Sequence, residues 1–306
     1  MSLRMRAFVV SVLLGVAGCT TSAPVKVADS GAAPLDASSN ADGQGASACS
    51  APAEQRPPGA TCVLSVKGTV TDFDSVPLPD VVVTFCGQQC YGTRSDEKGA
   101  FSVTVGDFVN RENYAIHADG RPDHAVDYYR LAKGDADTIV LDAPIRLPRL
   151  PEGGPVLPED HAPASSITNG DLTLGIAADT TFELDIADFG KGDTNRTLRV
   201  AAVALTMVPT SALTAKLDAV YALAPSSAKA SKPMSVTLKN AFELKAGTEV
   251  ELLVLSDDYF FTTPPTVGIY QVAATGRVSS DGKVIETDPG QGISLITWLG
   301  VRQKGK

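Results

Sequence analysis

Histidine is nearly absent from this chain, with three residues in 306. That leaves little material for imidazole acid–base chemistry or for a His-rich metal centre. The compact catalytic signatures are missing too: there is no Gly-x-Ser-x-Gly, no His-Glu-x-x-His and no phosphate-cradling glycine loop. Gly290-Gln291-Gly292 lacks the strand–turn–helix setting of a dinucleotide site and reads as a turn. Ser-x-x-Lys occurs at Ser95, Ser226 and Ser280 without companion motifs, as chance spacing in a Ser-rich chain produces. Positive charge is in deficit, since 26 Lys and Arg face 35 Asp and Glu for a net −9. A nucleic-acid partner would need the opposite sign. No apolar run approaches the ~20 residues that span a bilayer. No cofactor motif is present, so the expectation is a protein that is not an enzyme and binds no nucleic acid. What is present is a hydrophobic fraction of 43%, enough for a real core in a chain longer than one ordinary domain.

The chain opens with Arg4 and Arg6, then the apolar run Ala7-Phe8-Val9-Val10-Ser11-Val12-Leu13-Leu14-Gly15-Val16. A basic start, a short apolar stretch and small residues after it form a secretory signal peptide. Val16-Ala17-Gly18-Cys19 resembles the lipobox of bacterial lipoproteins, which implies a leader over residues 1–18 and lipid attachment at Cys19. The alternative is an ordinary leader whose apolar region ends at a cysteine. Thr20 stands where an acidic residue would suggest inner-membrane retention, so the resemblance implies an outer-membrane location in the cell envelope. Several acyl chains hold a protein at a bilayer far better than one. Loss of Arg4 and Arg6 with the leader makes the remainder more acidic still, so the membrane is touched through the N-terminal lipid only.

Residues 19–60 are rich in Ala, Ser, Gly, Asp and Pro and contain no aromatic side chain. Such a segment has too little apolar area to offset ordering entropy and reads as a disordered tether. As a flexible coil of about 40 residues it would span roughly 35 Å.

Residues 61–150 read as a first β-sandwich-like domain. Val81, Val83 and Phe85 alternate with Val82 and Thr84, the period of two of a strand. Phe101, Val103 and Val105 repeat it after the turn Ser95-Asp96-Glu97-Lys98-Gly99. Strands are also predicted at 64–70, 113–118 and 138–141. Gly68-Thr69-Val70-Thr71-Asp72, Pro77-Leu78-Pro79-Asp80-Val81-Val82-Val83, Thr93-Arg94-Ser95-Asp96-Glu97-Lys98-Gly99-Ala100-Phe101 and Tyr114-Ala115-Ile116-His117-Ala118 follow one another in that order. Together they resemble the carboxypeptidase regulatory-like domain, over about 85 residues. The resemblance implies a seven- or eight-stranded sandwich of the transthyretin-like or starch-binding-like kind. It implies no peptidase activity, because the motif residues build turns and core. Ser75-Val76, Asp80 and the interval between Cys86 and Cys90 depart from that pattern.

Pro151, Pro155, Pro158 and Pro163 mark residues 151–164 as a Pro-rich linker expected to hold two domains apart. Residues 165–306 read as a second β-rich domain, with strands predicted at 171–176, 181–186, 197–207, 234–238, 249–255 and 268–278. Asp281-Gly282 is placed in a two-residue hairpin turn before Val284-Ile285, residues 293–298 close the set, and 209–219 could hold one short helix. Tyr221-Ala222-Leu223-Ala224-Pro225 with Lys232-Pro233-Met234-Ser235-Val236-Thr237-Leu238 shows a short resemblance to ZU5-like β-domains, from which no function is carried over.

With Cys19 acylated, Cys49, Cys62, Cys86 and Cys90 remain, which allow three disulfide connectivities. The reading favours Cys86–Cys90, closing a tight turn through Gly87-Gln88-Gln89, and Cys49–Cys62, fastening the tether to the first strand. A four-cysteine zinc site is the alternative. Calcium ligation by Asp72, Asp74, Asp257 and Asp258 has no EF-hand loop behind it, and His117 with His124 could form only a minimal pair. No metal is therefore expected. Tyr128 and Tyr129 beside Asp127 and Arg130, and Tyr259-Phe260-Phe261 in a Pro-flanked loop, are the candidate ligand or partner surface, with packing at a domain end as the other reading. The functional expectation is a lipid-anchored envelope protein acting as a binding or structural module, with an envelope protein or a glycan as partner. A carbohydrate-binding surface lipoprotein using those loop aromatics is the alternative.

Overall fold

In the computed structural model the described residues are 49–131, 134–185, 195–208, 216–256 and 267–305. They are all-β, with short 3-10 turns such as Ala53–Gln55, Arg111–Asn113 and Leu205–Met207. None of their helices is long and apolar enough to cross a membrane. All fall within one unit, Gly45–Lys306.

The first region places eight strands in two four-stranded sheets. In one, β1 (Thr61–Thr71) pairs antiparallel with a later strand, Ala100–Val109, and parallel with two short ones, Thr138–Val140 and Ile145–Arg146. In the other, β2 (Val82–Cys86) lies between β3 (Cys90–Arg94) and Ala115–Asp119, which in turn pairs with Val126–Arg130. In chain order the five strands after β3 are β4 to β8. Val63, Val66 and Val70 of β1 all face the core, although Val63 and Val66 are an odd number apart. Strict alternation would put one of them outside, and a register shift between Val63 and Ser65 resets the face. Val83, Phe85, Phe101, Val103 and Ile116 complete this core. Gly99 closes the β3–β4 turn at φ +72°, and a Cβ there would stand 2.3 Å from the Val70 carbonyl oxygen. Both observations explain why the turn needs glycine.

The second region carries β9 (Ser165–Asn169), β10 (Leu172–Ile176), β11 (Phe182–Glu183), β12 (Arg199–Val203), β13 (Ala219–Ala224), β14 (Ala228–Lys239), β15 (Glu249–Leu255), β16 (Tyr270–Val278), β17 (Val284–Thr287), β18 (Ile293–Ile296) and β19 (Leu299–Gln303). Their pairing runs β12-β13-β19-β15-β16-β17-β14-β10-β9, and β11 and β18 join β14 off that path. The long β14 makes this possible. Its first half pairs with β11 and β18, its second with β10 and β17, and the β18 register shifts between Lys229 and Met234. Pro233 lies in that irregular interval, where a missing N–H interrupts no ladder bond. Leu172, Leu174, Met234, Val236, Val250, Leu252, Ile285 and Ile296 fill the enclosed core.

Two expectations change. Val278 pairs with Ile285 and the Ser279 amide bonds to the Val284 carbonyl, so the β16–β17 connection is a four-residue loop, 280–283. Only Gly282 is left-handed there, at φ +74°, whereas a two-residue turn on Asp281-Gly282 would need both. The Pro-rich segment is not a spacer either. Val156 bridges Thr197, the Leu157 amide bonds to the Arg196 carbonyl, the Leu198 amide bonds to the Pro155 carbonyl, and Leu157 is buried. It is laid along the second region as an extra extended layer. The 209–219 helix falls largely on 209–215, outside the described residues.

The regions then share a core of their own. Ala125, Val126, Tyr128 and Leu150 pack with Val203, Val220, Ala222, Ala224, Leu253, Leu255, Tyr270 and Trp298. All six residues of β13 are buried: Ala219, Tyr221 and Leu223 face the inner core, Val220, Ala222 and Ala224 the shared one. The Trp298 indole N–H donates to the Val126 carbonyl at 2.6 Å, and the Arg121 guanidinium meets Asp119 at 2.5 Å and Asp185 at 2.8 Å. Burial alone would raise the Asp119 carboxyl, but Arg121 outweighs it and holds it below its ordinary value.

Both favoured disulfides are present, Cys49–Cys62 and Cys86–Cys90. The first closes 13 residues of separation, a constraint of the size that contributes about 3 kcal/mol. Replacing Cys49 and Cys62 together by Ser is expected to lower unfolding stability by about that much. Urea denaturation tests it, and an unmoved midpoint would mean that the segment before β1 is held by its other bonds alone.

Candidate functional site

Both disulfides lie at the same end of the first sandwich, and they frame a groove of about 400 Å³. Its walls come from three places: Gln55, Pro57 and Pro58 before β1; Gln88 and Gln89 at the tip of the β2–β3 hairpin; and the stretch from Asp107 to Tyr114 that ends β4 and enters β5. The register pairs Cys86 with Cys90, so their bond pins the base of the hairpin that carries Gln88 and Gln89. Cys49–Cys62 holds the segment before β1 against β4, where the Cys49 amide bonds to the Gly106 carbonyl and Cys62 pairs with Phe108. The Arg56 guanidinium lies 3.9 Å over the Phe108 ring, a cation–π contact that fixes the Pro57-Pro58 wall.

The groove's polar groups divide into committed and uncommitted sets. Tyr91 Oη lies 3.0 Å from both Gln89 Oε1 and Asp107 Oδ2, while Asp107 Oδ1 accepts the Phe108 amide at 2.7 Å. Burial, then the adjacent Asp107 carboxylate, push the Tyr91 hydroxyl above its ordinary range, so it remains a donor. The Tyr114 hydroxyl accepts from the Gln89 amide, and its ring is so close beneath Gly87 that a Cβ there would lie 2.5 Å away. Asn110 donates to the Pro58 carbonyl and accepts from the Glu112 amide. In contrast, the side-chain amides of Gln55, Gln88 and Asn113 make no hydrogen bond among the described residues. Each offers a carbonyl acceptor and two N–H donors to whatever enters.

The aromatic residues singled out from sequence fall elsewhere. Tyr128 is a correction to the expected partner surface: it is 2% exposed, stacked on His117 at 4.7 Å, with its hydroxyl 2.9 Å from Ser227 Oγ. The first and second regions cover it from both sides, which adjacency in sequence could not reveal. Tyr129, on the opposite face of β6, packs half-buried against the first core. Tyr259, Phe260 and Phe261 lie outside the described residues, as does Cys19. Asp72 caps the Val76 amide, and no cluster of His, Cys, Asp or Glu among the described residues could hold a metal ion. The His117 ring stacks on Tyr128, whereas His124 forms a backbone β-bridge with Arg149. Ser226 and Ser227 are buried in the turn after β13.

Around Tyr128 lies a second polar group, sealed between the regions. Asp127 is buried, with one carboxylate oxygen on the Tyr128 amide at 2.8 Å and the other without a partner among the described residues. Desolvation raises its pKa to about 7, against partial relief from the Tyr128 amide and His117. The Tyr270 hydroxyl, also buried without a partner among the described residues, is pushed up by the same desolvation and by Asp127. Both groups are buried, Tyr270 packing in the shared core with Trp298, Leu253 and Val126.

The groove escaped the sequence reading because its amides come from positions as far apart as Gln55 and Asn113. Gly87-Gln88-Gln89 between two cysteines was the only local sign, and it reads equally well as a turn. Comparisons with protein-family models, curated proteins and solved structures found no match for this chain.

Proposed function

We propose that this is a non-enzymatic binding module of the cell envelope, lipid-anchored through Cys19 and presenting the framed groove on a rigid two-sandwich head. The observation that carries the reading is the groove's chemistry. Its lining holds amides, prolines and ring faces, and its one carboxylate, Asp107, is occupied by Tyr91 and the Phe108 amide. Such a set recognises a ligand and supplies neither nucleophile nor proton shuttle. The shared core supports it further, since a site held on fused sheets loses little entropy on binding. The lipobox-like Val16-Ala17-Gly18-Cys19 followed by Thr20 supports an outer-membrane location for such a module, and the carboxypeptidase regulatory-like resemblance of residues 61–150 supports a sandwich without peptidase activity.

Two measurements test it. Cys19→Ala is expected to move the protein from the membrane fraction to the soluble one and to abolish the acyl mass on the mature chain. Hydrogen exchange of the purified protein mixed with isolated envelope material is expected to slow at residues 86–90 and 107–114. Exchange unchanged across the whole chain would overturn the binding reading.

A further inference from the structure

We infer that the groove between the two disulfides is a binding site for a neutral, polyhydroxylated ligand, a short glycan segment of one or two sugar rings. The inference rests on the binding-module reading and adds the ligand class. About 400 Å³ lies near the lower end of small-ligand pockets, which run from about 300 to 1,000 Å³.

The chemistry selects hydroxyls. The uncommitted groups are the amides of Gln55, Gln88 and Asn113, each both donor and acceptor. A sugar hydroxyl is likewise both, so every amide can serve it in either sense, whereas a carboxylate or ammonium ligand would leave half of each amide opposed. No Lys or His lines the groove. An anionic ligand therefore finds no counter-charge there and meets the Asp107 carboxylate, while that carboxylate is already engaged by Tyr91 and the Phe108 amide rather than left open to a cation. Between the amides stand the apolar rings of Pro57 and Pro58 and the edge of Phe108, which suit the C–H face of a sugar ring.

The backbone argues against an extended peptide as occupant. Peptides that add to a sheet need a row of unpaired N–H and C=O groups. Around the groove the amides of Gly87, Gln89, Phe108, Asn113 and Tyr114 are all donated within the protein. Recognition is left to side chains, held in place by Tyr91, Tyr114 and the two disulfides.

The test uses the full chain and the variant pair Gln88→Ala with Asn113→Ala. Neither amide has an intramolecular bond to lose, and thermal denaturation confirms that the variant folds. Gln291→Ala, an exposed amide of the second region, is the control. Titration calorimetry against a panel of neutral mono- and disaccharides and soluble oligosaccharides is expected to find at least one ligand. Its affinity should fall tenfold or more in the double variant and stay within twofold in the control. Binding that survives the double variant unchanged would overturn the groove assignment. Failure of every sugar, with protection by envelope material still seen at 86–90 and 107–114, would overturn the glycan class alone. A neutral peptide library that binds and is lost in the same variant would transfer the site to peptides, again overturning it. Loss of the envelope protection as well would remove the binding-module reading itself.

Discussion

Replacing Trp298 by Ala is expected to lower unfolding stability by about 3–5 kcal/mol, the range for removing a large buried aromatic. Trp298 is 1% exposed, sits between the two regions and donates its indole N–H to the Val126 carbonyl. The truncation leaves a cavity among Val220, Leu253, Leu255 and Val126 and an acceptor without its donor. Trp298→Phe retains most of the apolar mass and loses chiefly the hydrogen bond, so its cost should be clearly smaller. This is the chain's single tryptophan, so in the unaltered protein its fluorescence reads the interface directly. Loss of buried-indole emission should coincide with loss of the β signal in circular dichroism if the shared core joins both regions into one cooperative unit. An Ala variant with an unshifted midpoint would show that the interface contributes nothing.

Asn at position 127 is expected to stabilise the protein at alkaline pH. Burial raises the Asp127 carboxyl to about 7 in the folded state, against about 3.8 when exposed. Between those values the folded protein holds a proton that the unfolded chain has released. Stability from this group is therefore complete below about 4, falls as pH rises, and is fully lost above about 7. At about 1.36 kcal/mol per pH unit the gap amounts to roughly 4 kcal/mol. Asp127→Asn is always neutral, so the difference between it and the unaltered protein should be small at pH 4, grow through pH 5–7 and level off beyond pH 8. Urea denaturation at these pH values measures it. A difference independent of pH would mean that Asp127 is ionised throughout in the folded protein, with partners other than the Tyr128 amide and His117.

Much of the first sandwich is legible from residues close together in the chain. The Val81-to-Phe85 and Phe101-to-Val105 alternations mark β2 and β4, and Gly99 takes the left-handed conformation its turn needs. The pairing favoured among three connectivities, four residues apart at a hairpin base and thirteen apart before and at the start of one strand, is the one the structure contains. Strands that escaped the reading lack a clean period. β3, Cys90-Tyr91-Gly92-Thr93-Arg94, is polar and lies mostly on the surface, and β19 with Gly300 at its second position looks like the end of β18. β13 is apolar at all six positions, which conceals the period of two because both of its faces are covered.

That strand also marks where sequence and tertiary structure divide. The sequence by itself determined an all-β architecture and the turns that need glycine and favoured one pairing of the cysteines, because each depends on a few neighbouring residues and a fixed backbone geometry. Only the tertiary structure decided that Pro155 and Leu157 lie along the second region, that Tyr128 is an internal residue, and that Gln55, Gln88 and Asn113 meet around one groove. An apolar run states that both faces of a strand are buried but does not say by what. The covering partner is set by how distant segments fold back, and the free energy of that choice is spread over contacts such as Trp298 with Val126, 172 residues apart.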